Sequence, residues 1–359
     1  MLESLLNMLD GKPARRVVWT ADLHYWFAAH RPDLARDERA HLAFCRELGV
    51  MPYYWYERFW LGEPRYDGVE FSQIRDGERT VRLWKTPAGE LREHRQFMAE
   101  SCSEAITRHP VQDQRDLETL LYVLQHRHLE PANLDDYHQR RQLWSQCDGL
   151  PSVGLPRSPL PAFLYEWAGL EHGIYLLMDH EELVGRIFDL LDAQEQPILD
   201  AVCQAKPPLV HFPDNLSGDN LAGLFDLHMA DRYRRRLDRL HEAGIRVAVH
   251  LDGVVRPLLP KLAALGFDAV EALTPAPVGD VTLEDLRPLA GSDRVVLWGG
   301  LPGAMFAPPF AWSDLRAHLD KLLACWRGTP FVIGVADQVP PDGDIEFVKR
   351  ISELLKTLT

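Results

Sequence analysis

His250 and Asp252 stand two residues apart in the stretch from Val247 to Gly253, and Glu271 closes an apolar run that follows soon after. Side chains two apart on a strand share a face, so both His250 and Asp252 can enter one mouth. An imidazole with carboxylates suits Zn2+ or another divalent cation. The same residues can also form a buried polar cluster in which His250 donates to Asp252 or Glu271, and spacing leaves both readings open. Asp214 and Asn215 lie in the segment His211 to Gly218. They are a candidate proton-transfer acid and a candidate polar substrate contact. The competing reading is a turn in which either side chain bonds its own backbone, with His211 part of that turn. His24, two residues after Asp22, is a second candidate proton donor. Glu166, Trp167 and Trp298 are candidate substrate contacts, with packing as the alternative for Trp167.

These residues need elements to hold them. Short apolar runs predict strands at Leu209 to Phe212, Arg246 to His250, Asp268 to Glu271, Val295 to Gly299 and Phe331 to Gly334. Amphipathic helices follow at Leu227 to Ala243, Val255 to Leu265, Leu283 to Leu289, Trp312 to Trp326 with Ser313 as its N-cap, and Ile345 to Leu358. Upstream, Arg16 to Thr20 reads as the first strand, and Ala162 to Tyr165 as another before a helix from Glu181 to Gln204. Strand–helix alternation of this kind predicts a parallel sheet with helices outside, and a closed (β/α)8 TIM barrel is the nearest complete architecture. Active sites of such barrels lie at the C-terminal strand ends, where most of these candidates fall. Val69 to Ile74 and Thr80 to Lys85 flank Asp76-Gly77, an antiparallel hairpin excursion. Residues 128–160 read as loop and short helix. Gly299, Gly300 and Gly303 suit tight backbone geometry or a close approach. The aromatic run Tyr53 to Trp60 is either packing or a lid over a flat ligand. No linker divides the chain, so 1–359 is expected to be one domain.

The 359 residues are 46% hydrophobic and carry a formal net charge of -14. That charge argues against a nucleic-acid binder, which needs a basic surface. The five cysteines form no CxxC pair, which fits a reducing compartment. The N-terminal residues lack a signal-peptide pattern, and no long apolar run predicts a membrane span. A cytoplasmic enzyme is expected, with oligomeric state open and a homodimer among the choices.

The chain resembles the uroporphyrinogen decarboxylase and cobalamin methyltransferase superfamily. The resemblance rests on HFPDNLSG, VAVHLDG, GFDAVEALTP, VVLWGGLPG and GVADQVPPDGD in order, with ARRVVWTADLHYW and YEWAGLEHGIYLLMDHEELV upstream. It implies a (β/α)8 barrel and one of two chemistries. Decarboxylases of the family use an arginine-rich N-terminal motif, and Trp19 to His24 lacks those arginines. The other branch holds zinc methyltransferases that work with a corrinoid protein. Their His-X-Cys pair corresponds to His250-Leu251-Asp252, and their later Cys to Asp337. Carboxylates in place of thiolates suit a site that polarises an oxygen. The resemblance thus implies metal-assisted methyl transfer from a methoxylated small molecule, such as an aryl methyl ether. His250, Asp252, Glu271 and Asp337 would hold zinc, and a partner protein would carry the corrinoid. Asp22-Leu23-His24 matches only part of a corrinoid-binding motif. A lyase on a carboxylated substrate, and a non-catalytic binding relative, are the alternatives.

Overall fold

The computed structural model describes residues 1–33, 37–55, 61–131 and 134–357. In chain order its strands are β1 (Val18–Thr20), β2 (Arg65–Tyr66), β3 (Glu70–Asp76), β4 (Arg79–Thr86), β5 (Gly89–Met98), β6 (Ser103–Arg108), β7 (Arg127–His128), β8 (Leu209–Leu216), β9 (Arg246–Leu251), β10 (Ala269–Leu273), β11 (Val296–Pro302) and β12 (Phe331–Ala336). Six of them form a parallel sheet in the order β1-β12-β11-β10-β9-β8, with helices between successive strands.

Two irregular segments continue the ring from β1 to β8. The Met51 N–H donates to the Trp19 carbonyl (2.8 Å), and the Leu150 and Ser152 N–H groups donate to the carbonyls of Pro52 and Tyr53 (3.0 Å each). The His211 N–H donates to the Val153 carbonyl (2.8 Å), and Leu155 donates back to His211 (3.0 Å). Eight extended segments therefore surround one core, the TIM-barrel arrangement. Pro52 and Pro151 have no N–H to give, so neither segment builds a regular ladder.

The interior is layered, as period-2 alternation requires. Val18, Leu209, Ala248, Ala269, Val296 and Val332 make an apolar layer, and the N-terminal helix Leu2–Leu9 seals it with Leu5, Met8 and Leu9. Two residues further along each strand stand Thr20, His211, His250, Glu271, Trp298 and Gly334. The layer with the ionisable groups lies directly above the dry one.

Several local expectations change. Ala162 to Tyr165 is not a strand: Pro159–Ala162 is helical and Phe163–Ala168 continues as a π-helix. Pro159 at the first helical turn favours that start, and residues 150–155 take the strand's place. The hairpin excursion is a four-stranded antiparallel sheet, β3-β4-β5-β6. Its third strand hides its pattern, because β5 buries the charged Glu93 beside Leu91. This sheet packs on the helix Gln114–Gln125. The helix expected at Leu227 to Ala243 is split into Phe225–His228 and Ala230–Glu242. That expected from Val255 begins only at Leu259. The N-cap of Trp312–Trp326 is Ala311, whose N–H donates to the Asp314 carboxylate (2.8 Å), rather than Ser313. Leu358, and residues 56–60 of the aromatic run, lie outside the described residues.

Candidate active site

His250 stands one residue before the end of β9, and Glu271 lies opposite it on β10, paired directly in the parallel register. The His250 Nδ1 is 2.9 Å from Glu271 Oε2, and the Tyr54 hydroxyl donates to Glu271 Oε1 at 2.6 Å. Both oxygens of this buried carboxylate are therefore engaged. His211 Nε2 approaches the same carboxylate at 3.5 Å and, although buried, makes no hydrogen bond. On the other side of the imidazole, His250 Nε2 faces Asp252 Oδ2 at 3.9 Å and Asp337 Oδ1 at 4.0 Å.

Burial opposes charge on His250, but Glu271, with Asp252 and Asp337, overrides it and raises the His250 pKa well above the imidazole range. Burial likewise works against the Glu271 carboxylate, yet His250 and His211 hold its pKa below the usual carboxylate range. Burial raises Asp337, with His250 offsetting part of the effect.

Among the described residues, His211, His250 and Glu271 are the group whose ligand atoms lie mutually within 4.8 Å. Asp252 and Asp337 adjoin His250 on its opposite nitrogen. The four residues expected around a metal thus meet at one imidazole, but on two sides of it. One cation cannot contact both ring nitrogens, so the expected ligand set divides. His211, named in the sequence only as part of a turn, is a residue facing this cluster. Its signal was the alternation that places it two beyond the apolar Leu209.

Asp214 is fully buried. Its oxygens accept from the Ser158 N–H (2.7 Å), the Ser158 hydroxyl (2.6 Å) and the Tyr233 hydroxyl. Arg236 reaches the same Ser158 hydroxyl, pairs with buried Glu195 and covers the Phe212 ring at 4.3 Å. The expectation of Asp214 as a proton donor is corrected on this ground: a carboxylate sealed by three donors pins β8 to the 156–158 loop. Trp298 is corrected too. It is fully buried, donates its Nε1–H to Thr20 Oγ1 (2.9 Å), and packs on Tyr53 with ring centroids 4.6 Å apart. Gly334 leaves it room, since a Cβ there would lie 3.0 Å from Trp298 Cδ1. Trp298 is interior packing and presents no surface to a ligand.

His24 opens the helix His24–His30 just after β1, and burial lowers its pKa. Its N–H bonds Asp22 Oδ1 (3.0 Å), while the Asp22 carbonyl accepts from Val339 and joins the β1 and β12 exits. Gly303 serves the same rim: a Cβ there would stand 2.2 Å from the Gln338 carbonyl, beside Asp337.

Asn215, Glu166, Trp167 and Asp252 line a cavity of about 1060 Å3 between the barrel mouth and the antiparallel sheet. Its size suits a small-molecule site. Trp19 to His24 lacks the arginines of the decarboxylase motif, yet Arg82, Arg95, Arg127 and Arg157 all line this cavity. They come from β4, β5, β7 and a loop, outside the barrel strands.

No family model matches the chain, and no curated protein matches its sequence. Among solved structures it is similar to a methyltransferase from Methanosarcina mazei, at 14% identity over 99% of this chain and 98% of that one, with a TM-score of 0.62. It is also aligned with a B12-independent methionine synthase from Shewanella sp. W3-18-1, at 12% identity over 95% and 96%, with a TM-score of 0.45. The first likeness establishes the fold, a TIM barrel along nearly the whole chain. No helix among the described residues is long and apolar enough to cross a membrane.

Proposed function

We propose that this protein is a metal-assisted methyltransferase that moves a methyl group from a methoxylated small molecule, such as an aryl methyl ether, to a corrinoid carried by a partner protein. The carrying observation is the convergence of Asp252 and Asp337 on His250 Nε2 while Glu271 fixes the opposite nitrogen. Metal-bound imidazoles commonly give their second N–H to a carboxylate in this way. Neither Asp252 nor Asp337 is within hydrogen-bond distance of His250 Nε2, and a cation held there would draw both carboxylates inward from their present 3.9 and 4.0 Å. The donor chemistry fits zinc or a similar divalent ion. His250, Asp252 and Asp337 would hold it, and Glu271, expected as a ligand, instead orients the ring.

The metal would polarise the ether oxygen and stabilise charge on the leaving alkoxide or phenoxide. Asp252 also lines the large cavity, so the donor would sit at its edge, against Asn215, Glu166 and Trp167. His24, at the β1 exit, is the candidate proton carrier for the leaving oxygen. The methyl carbon must face the mouth, over which the corrinoid protein docks.

Anaerobic incubation of the zinc-loaded protein with Co(I) cobalamin and a panel of methoxyarenes tests the reading. Formation of methylcobalamin, abolished by His250→Ala, is expected. A metal-loaded protein that methylates the corrinoid from none of these donors would overturn it. The arginines around the cavity favour one second reading, a metal-free lyase acting on a carboxylated substrate. Turnover of such a substrate by protein without bound metal would establish that alternative.

A further inference from the structure

Arg127 differs from the other arginines of the large cavity. Glu93 takes Arg95 at 2.5 Å and lies 3.5 Å from Arg82, and Glu166 takes Arg157 at 3.3 Å. Among the described residues no carboxylate lies within ion-pair distance, 4.0 Å, of Arg127. A neutral amide holds it instead: the Nε–H and Nη2–H both donate to Gln194 Oε1, at 2.9 and 2.7 Å. Gln194 is fixed in turn by donating to the carbonyls of Leu124 and Arg127.

The guanidinium is a fork with two usable edges. Gln194 uses the Nε/Nη2 edge, and among the described residues no hydrogen bond uses Nη1. Its plane is set from the other side by Trp167, whose ring centroid is 5.4 Å from Arg127 Cζ. Trp167 belongs to a continuous aromatic wall. Its ring is 5.5 Å from that of Trp84, which lies 5.2 Å from Phe71. All four of these residues line the same cavity. An oriented cation with a free bidentate edge beside flat apolar walls matches a planar anion.

We propose that Arg127 is the carboxylate anchor of this cavity and that its ligand is a planar, carboxylate-bearing molecule. The ligand's ring lies against Trp84 and Trp167, and its carboxylate accepts two hydrogen bonds from the Nη1/Nη2 edge of Arg127. The proposal deepens the methyl-transfer reading by giving the donor an anionic group remote from its methoxy carbon. Gln194 is a positioning residue: being neutral, it orients the guanidinium without cancelling its charge.

Isothermal titration tests this with 4-methoxybenzoate and its neutral counterpart 4-methoxybenzamide. The benzoate is expected to bind, and the amide to bind about 10- to 100-fold more weakly, the range for loss of a charged hydrogen-bonding pair. Arg127→Gln removes that preference. Gln194→Glu leaves Arg127 in place but supplies a competing carboxylate, and reduces benzoate affinity without affecting the amide. It therefore carries the test if Arg127→Gln fails to fold, and Arg127→Lys, which keeps charge but loses the fork, falls between. Equal affinity for the two probes, no binding of the benzoate, or unchanged benzoate binding in a folded Arg127→Gln or Gln194→Glu protein would overturn the assignment. Tight benzoate binding without methyl transfer refutes the methyltransferase reading alone. Methyl transfer from neutral methoxybenzene that ignores Arg127 refutes the anchor alone.

Discussion

Glu271 Oε2 stands 2.9 Å from His250 Nδ1, which leaves Nε2 as the ring nitrogen that faces Asp252 and Asp337. That single contact decides which side of the imidazole can serve a cation. Glu271→Gln keeps the shape but removes the charge. Zinc affinity is expected to fall about 10- to 100-fold, the usual effect of losing a carboxylate behind a metal-bound histidine. Asp252→Asn and Asp337→Asn should each weaken it at least as much, and Tyr54→Phe less. Competition against a chromogenic chelator measures all four. Wild-type zinc affinity in Glu271→Gln would remove the orienting role.

Asp214 accepts three hydrogen bonds in a region closed to solvent. Asp214→Ala orphans the Ser158 and Tyr233 donors and leaves Arg236 beside them with less negative charge. The expected cost is about 3 kcal/mol or more, by analogy with breaking buried charged networks. Urea unfolding should show a lower midpoint. Methyl transfer per folded molecule should hold in the milder Asp214→Asn, and a large loss of rate there at full folding would restore a catalytic role.

Trp298 stands in the same layer as the ionisable cluster and packs with the apolar layer beneath it. Trp298→Ala should destabilise the protein by about 3–5 kcal/mol, the range for a large aromatic truncated in a core. Trp298→Phe keeps much of the packing but leaves Thr20 without its indole donor, and should cost less. Thermal unfolding of the two variants gives the order. If Trp298→Ala were as stable as the parent while ligand binding was lost, the residue would have to be a ligand contact.

At the N-terminal end of the barrel, His241 Nε2 lies 2.8 Å from Asp268 Oδ2. This hydrogen bond raises the His241 pKa, with burial opposing and the Asp268 charge adding. A histidine raised above its unfolded value of about 6.5 stabilises the folded state fully below that pH. The contribution is lost as pH climbs through the folded pKa. The side chain is 31% exposed, so the term should be under about 1 kcal/mol after screening. Denaturant midpoints measured upward from pH 6.5 or so should decline, and His241→Gln should remove that part of the decline. An unchanged slope in the variant would show that the pair contributes nothing.

The legible part of this fold was its second half. From Leu209 onward, short apolar runs and the amphipathic segments between them mark strands and helices near their observed positions. The first half was harder to read because its two barrel segments, around 51–53 and 150–155, are proline-interrupted and make few regular pairs. β5 escaped notice because an inward Glu93 broke the apolar alternation that marks a strand. Of the candidate residues, Asp252, Glu271 and Asp337 all lie around His250, since they sit on or just past the C-terminal halves of neighbouring parallel strands.

What the sequence determined by itself was periodicity and, through it, the barrel: alternation is a local property, and parallel strands send their C-terminal residues to one rim. It could not tell which ionisable side chains face the cavity and which are sealed within the packing. Asp214 and His211 stand three residues apart on β8, yet one is locked to Ser158 and Tyr233 and the other approaches Glu271. Nor could it place Arg127 beside Trp167, because that contact joins β7 to the helical segment Phe163–Ala168, forty residues further along the chain. Strand direction is written into neighbouring residues, whereas partners and burial depend on packing across the whole chain.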